Sequence, residues 1–335
     1  MSTAVTTQQQ QQQQRTAELN VLVRKQRSLW GDALHRLLRN RAAIVGLVVI
    51  TFAACVAILA EVRIDAIGLY FRLAPYDPVV DQNTPKALMD PVWTAAFGSK
   101  FTDPAYILGS DALGRDILSR LMYGARISLV VGVVPVSIVF AIGVSIGMLA
   151  GYFGGWLDNL LMRFTDIVYA FPDLLFVIII VATLRGTGLG DIGGGLVLIF
   201  VGIAIVSWVG LARLVRGQVL GLKHREFIEA ARSIGASPMR IMLRHLFPNA
   251  LAPVIVSIAF AIPGAMLTEA TLSFLGIGIR PPTPTWGAMI NEGFVVFSAT
   301  PWAVLLPAIC ISIVLLSFTF VGDGLRDALD PRMRT

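Results

Sequence analysis

The residues able to do chemistry are few in this 335-residue chain. Its four lysines are Lys25, Lys86, Lys100 and Lys223, and none follows a glycine, so there is no Walker-type phosphate loop. The three histidines, His35, His224 and His245, form no H-E-x-x-H and hence no zinc-protease helix. One G-x-G-x-x-G, at Gly188, Gly190 and Gly193, lies between two apolar runs with no strand before it; it reads as a flexible turn, not a dinucleotide cradle. Cys55 and Cys310 stand far apart inside apolar runs. Two cysteines exclude a disulfide framework or a zinc cluster, and both are expected to be small buried hydrophobes. No catalytic constellation remains, so the chain is expected to be no enzyme and to hold no metal or cofactor of its own. Two acids mark the ends of apolar segments. An acid inside a membrane segment is a functional candidate by default. Asp173 follows Pro172 and is expected to start a helix. Glu269 is expected either to line a vestibule or to anchor the return of residues 270–278.

The elements that position these residues follow from composition. Hydrophobic residues make up 56% of the chain and charged residues 14%, and the mean hydropathy is +0.74. A soluble domain carries about 45–50% and about 25%. The excess reads as membrane spans of about 20 apolar residues each. Six segments qualify: 42–60, 127–153, 167–184, 192–212, 246–268 and 293–322. Each is apolar all round, so each is a buried or lipid-facing helix, not a surface one. The expected fold class is an all-α membrane protein of six transmembrane helices.

Charge sets the orientation. With the N-terminus cytoplasmic, 18 of the 27 basic residues fall on cytoplasmic segments, as the positive-inside rule requires. The C-terminus is then cytoplasmic too. The net charge of +6 belongs to these loops and to lipid headgroups, not to nucleic acid. Residues 1–27, with glutamines at 8–14, are expected to be a disordered head. Residues 28–41 carry Leu34, Leu37 and Leu38 at helical spacing among Arg36, Arg39 and Arg41. This is an interfacial helix on the cytoplasmic leaflet or a continuation of span 42–60.

The cytoplasmic loop 213–248 is the richest stretch. From His224 it reads H-R-E-F-I-E-A-A-R-S-I-G-A-S-P-M-R-I-M-L-R-H-L-F-P-N. Phe227, Ile228, Ala231 and Ile234 form one apolar face, and Gly235 supplies a left-handed stop. Ser237 is a good N-cap and Pro238 suits the first helical position. Ile241, Met242 and His245 or Leu246 form a second face, which Pro248 is expected to end. The expected product is a helix–turn–helix across the membrane surface.

The order Glu229-Ala230-Ala231, three residues, Gly235, nine residues, then His245-Leu246-Phe247-Pro248 resembles the E-A-A…G…I-x-L-P motif of ABC importer permeases. His245 and Phe247 replace the isoleucine and leucine of the general form. Residues 109–129, G-S-D-A-L-G-R-D-I-L-S-R-L-M-Y-G-A-R-I-S-L, resemble the signature before the second span of the C-type permeases of dipeptide, oligopeptide and nickel importers. Within it Asp111 is suited to cap a helix and Asp116 with Arg120 makes an i,i+4 pair. Residues 163–173, 268–278 and 281–287 also resemble that family, so the likeness covers about residues 30–335.

The resemblance implies a type I importer permease fold in a bacterial inner membrane. It implies that Glu229, Ala230, Ala231, Gly235, Ala236, Ser237 and Pro238 form a coupling helix region that docks on a cytoplasmic ATPase. It further implies four kinds of partner: a homologous permease subunit, two ABC ATPase subunits that bind ATP and magnesium, an extracytoplasmic substrate-binding protein, and membrane lipid. The implied cargo is di- or oligopeptides, with nickel or another small solute as the alternative. The long outer segment 61–126, with five prolines and eight acids, is then either a docking surface for the binding protein or an insertion packed on the permease itself. A gradient-driven transporter would show acids at the membrane midplane or inverted repeats; neither is visible.

Overall fold

A computed structural model describes residues 29–64, 69–78 and 86–330. The glutamine-rich head expected over 1–27 lies outside the described residues. Helix α1 (Leu29–Leu37) is separate from α2 (Arg41–Leu59). The chain turns at Asn40, whose side chain accepts from the amides of Ala42 and Ala43 and caps α2. Ala33 and Leu37 of α1 are buried against Ala43 and Ala328, so α1 also packs on protein.

A short antiparallel hairpin, β1 (Val62–Ile64) and β2 (Leu69–Phe71), qualifies the all-helical expectation. The outer segment is folded onto the helices. Tyr76 N donates to Ser119 Oγ at 2.9 Å, and the Trp93 ring meets Trp302 edge-on at 5.6 Å. Of the two readings of this segment, packing on the chain itself is thus visible.

Helix α3 (Ile117–Phe153) starts well before the expected 127. Its 37 residues run about 55 Å at 1.5 Å each, beyond the ~30 Å hydrocarbon core. The lead-in expected before the span is therefore its first turns, started by Asp116, which accepts from Ser119 N at 2.8 Å. Pro135 lies inside α3 without ending it.

The third span is not one helix. Helices α4 (Gly155–Tyr169) and α5 (Asp173–Leu184) meet at a bend of 80°. Pro172, with φ −61° and ψ 120°, holds the chain extended there. Asp173 opens α5, in the expected helix-start role. A short helix α6 (Gly188–Asp191) leads through Gly193, Gly194 and Gly195, all at positive φ, into α7 (Leu196–Leu222). Of the glycine motif, Gly188 and Gly190 thus lie in α6, and Gly193 lies in the turn that follows.

Helices α8 (Glu226–Ser233) and α9 (Pro238–Ile241) form the loop. Pro248 does not end the second one. A π-turn over Met242–Leu246 carries α9 into α10 (Phe247–Phe274), with Phe247 N bonded to Met242 O. Widening the turn places Pro248, which has no N–H, at the start of the next regular helix. Pro253 and Pro263 also lie inside α10. The last expected span begins too early at 293: α11 (Trp286–Phe294) is its own helix, and α12 (Trp302–Leu329) spans. Among the described residues, five helices are long and apolar enough to cross a membrane, or six with α4–α5 counted as one.

Two helix pairs hold the bundle. A Cβ on Gly147 of α3 would stand 2.5 Å from Ala212 O and 2.6 Å from Val215 Cβ of α7, so these backbones touch. Gly143 and Gly151 pack on α7 in the same way. Residues Gly143–Ser145–Gly147 also spell G-x-S-x-G; mid-helix, with no strand before it, this is a packing seam and not a nucleophile elbow. Gly46 of α2 packs on Ser317 O of α12. Cys55, expected inside, is exposed on the outer face of α2, where an apolar span meets lipid and a small thiol needs no cover.

Candidate functional site

The loop between α7 and α10 rests on the inner end of the α3–α7 pair. Ile228 and Ala231 of α8 are buried in one cluster with Met148 of α3 and Val215 and Val219 of α7. Ile241, Met242 and Leu246 join the same cluster. Lys223 Nζ donates to Gly151 O at 3.1 Å, and the Arg232 guanidinium stands 5.7 Å from the Tyr152 ring centre. The loop is therefore seated on the membrane helices at several points.

Its turn is a Schellman motif. Gly235 has φ +80°. Its N–H donates to Arg232 O at 2.9 Å, and Ala236 N to Ala231 O at 3.0 Å. Ser237 Oγ accepts from Arg240 N at 3.4 Å, and Pro238 opens α9. Ala236 is half-buried.

The other face is open. Glu229, Ala230, Gly235, Ser237 and Pro238 are exposed, and so are four large apolar residues: Phe227 at 42%, Ile234 at 85%, Met239 at 61% and Leu243 at 58%. The sequence grouped Phe227 and Ile234 on one apolar face with Ile228 and Ala231, and the structure divides that group. Helical spacing groups apolar residues, but it cannot say which of them face this chain and which face another.

Two charge clusters flank the membrane helices. At the inner end Asp158 of α4 accepts from Arg216 Nε at 2.6 Å and Nη2 at 2.7 Å. Asp166 accepts from Arg213 Nη2 at 2.8 Å, and Arg213 lies 4.4 Å from the Tyr169 ring. At the other end of α3, Arg115 and Arg120 are buried, and both bond Asp111 and Glu292 of α11. Asp116 does not pair with Arg120 as expected from their spacing; it accepts from Ser119 N and Oγ instead. Glu292 is a member that sequence reasoning missed, because nothing local marks an acid 172 residues away.

Glu269 lines no open vestibule. It is 1% exposed and accepts from Ser273 Oγ at 2.6 Å, with a further bond from Thr285. Beside it Gly287 packs against the Ala270 backbone. The bonds of Glu269 tie the end of α10 to the approach of α11; residues 270–274, expected to belong to the return, continue α10 instead. Among the described residues no group of three or more His, Cys, Asp or Glu can hold a metal ion.

The chain is similar to known proteins. Residues 143–335 match the family described as binding-protein-dependent transport system inner membrane component. Residues 28–91 match the N-terminal transmembrane domain of oligopeptide transport permease C. The oligopeptide transport system permease protein OppC of Haemophilus influenzae is 38% identical over 92% of this chain and 90% of its own length. The dipeptide transport system permease protein DppC of the same organism is 39% identical over 88% and 92%. The glutathione transport system permease protein GsiD of Pectobacterium atrosepticum is 42% identical over 69% and 74%. A solved inward-facing MetNI methionine ABC transporter is similar only at 18% identity and a TM-score of 0.49, over 63% of this chain and 96% of that one. On the family match and these identities, the chain belongs to the inner-membrane components of binding-protein-dependent transport systems and is a multi-pass membrane protein.

Proposed function

We propose that this chain is a permease subunit of an ATP-driven importer of di- or oligopeptides, and that loop 213–248 is where it meets its ATPase. The relatives supply the peptide reading, being oligopeptide, dipeptide and glutathione permeases. The chain does no hydrolysis itself; separate ATPase subunits bind ATP and magnesium. A homologous permease completes the pore, two ATPases dock from the cytoplasm, and a binding protein delivers cargo from outside.

One observation carries the docking reading. The loop has two faces with different fates: Ile228, Ala231, Ile241 and Met242 are buried on α3 and α7, while Phe227, Ile234, Met239 and Leu243 stand exposed beside Glu229 and Gly235. An apolar patch rimmed by charge on a firmly seated element suits a protein partner. A push on that patch reaches α3 and α7 through their glycine seam, so the loop acts as a lever on rigid rods.

Purification of the complex from membranes tests the assignment. Two ATPases, a second permease and peptide uptake dependent on a binding protein are expected. Co-elution without any ATPase, or uptake driven by an ion gradient alone, refutes it.

A further inference from the structure

The arginine cluster at the far end of α3 forms one wall of a cavity of about 400 Å³. Its remaining walls are mostly apolar, with Leu113, Ile117, Met289, Val295 and Val296 among them. Such a cavity has the size of a small-ligand site.

The two arginines hold more donors than acceptors. A guanidinium carries five N–H groups. Arg115 uses Nε and Nη2, and Arg120 uses Nη1, all on Asp111 and Glu292. Arg120 is 2% exposed, and its Nε is buried with no partner among the described residues. A buried donor left open is costly, and an acceptor that reaches it offsets that cost.

The two acids differ. Asp111 is held from several sides: its side chain also accepts from Leu113 N at 2.9 Å and Arg115 N at 3.0 Å, and it is 10% exposed. Glu292 has only the arginines, through one oxygen, and is 30% exposed. The arginines bond two acids, which balances them; Asp116 nearby engages Ser119 through Oδ2 and holds Oδ1 buried with no partner among the described residues, which further disfavours an added carboxylate. A third carboxylate is therefore admitted only by replacing one already there. Glu292 is the replaceable one.

Resting on the peptide reading above, we propose that this cavity binds the carboxyl terminus of a peptide whose last side chain is apolar, by exchange with Glu292. The exchange conserves charge at the arginines. The apolar walls then take the side chain, and that burial supplies the gain. Release of Glu292 removes the ion pairs between α11 and the start of α3, while Trp286 and Met289 keep the two packed.

The test uses the intact complex in lipid nanodiscs without its binding protein, titrated calorimetrically with the tripeptide Ala-Ala-Leu and with its C-terminal amide. The acid is expected to bind at least tenfold more tightly than the amide. Glu292→Gln removes the internal competitor, so it is expected to tighten binding of the acid several-fold. Arg115→Lys is expected to erase the preference for acid over amide. Equal binding of acid and amide, no binding of either, or weaker acid binding in Glu292→Gln overturns the proposal. A purely structural ion cluster gives that last result or no change. The wild-type titration stands even if a variant fails to fold. Uptake of Ala-Ala-Leu with the binding protein present judges the peptide reading separately. Uptake without an acid preference defeats only the cavity proposal; absence of uptake of any peptide defeats the reading beneath it.

Discussion

Replacing Gly235 by valine separates docking from folding. At φ +80° an L-residue in the left-handed region costs about 1–2 kcal/mol, with β-branched side chains at the upper end. No steric clash adds to this, because a Cβ there meets nothing within 4 Å. The cost falls on a turn that keeps two Schellman bonds, at 2.9 and 3.0 Å, and that touches the buried cluster only through Ala231 and Ala236. About 2 kcal/mol is a factor of roughly 30 in the population of the native turn, and it lowers the melting temperature of a chain this large by only several degrees. The chain is thus expected to insert, to melt nearly as wild type and to co-purify with its partner permease. ATPase stimulation by the loaded binding protein and peptide uptake are expected to fall at least tenfold. Gly98→Val is the matched control. Gly98 has φ +93° and equally open space around its Cβ, but it lies in the outer segment. Its backbone strain is the same, so melting should shift alike, and its basal ATPase activity should match wild type. Normal uptake in Gly235→Val refutes the reasoning that this turn presents the ATPase-facing surface.

Further tests address the scaffold. Gly147→Ala drives a methyl to 2.5 Å from Ala212 O and 2.6 Å from Val215 Cβ. Overpacking of about 1–3 kcal/mol should lower the melting temperature, while Gly217→Ala, with nothing within 4 Å, should not; matching melts would mean the seam is loose. Asp158→Asn breaks the two-pronged pair with Arg216, a third of which is exposed. The expected loss is about 1–2 kcal/mol after solvent screening, read by thermal unfolding and reduced in high salt; a salt-independent loss would point to packing instead. Single cysteines replacing Lys86 and Lys223, in a chain with Cys55 and Cys310 removed, should label from opposite sides of the membrane. Labelling of both from one side refutes the orientation drawn from the basic residues.

Much of this protein is written in its sequence because the bilayer makes composition decisive. Where water cannot satisfy backbone groups, an apolar run must become a helix, so the spans were legible, as was the cap pair Ser237-Pro238. Gly235 was legible for a similar reason: a glycine after an amphipathic helix and before an N-cap has one favourable conformation. Residue order in the loop and in 109–129 also identified the family. What the sequence left open depends on neighbours distant along the chain. Periodicity could not tell the buried Ile228 from the exposed Ile234, since one meets α3 and α7 and the other stands open. Local spacing paired Arg120 with Asp116, whereas the tertiary structure gives Arg120 to Asp111 and Glu292. A long guanidinium takes whichever acceptors packing brings within reach, and α11 arrives from the far end of the chain. Helix ends shifted for the same reason: the lead-in joined α3 because Ile117 and Leu121 found cover on Trp286 and Met289, and α4 turned away from α5 at Pro172. Apolar content decides that a segment is a helix; only its tertiary partners decide where it starts, bends and which face it spends.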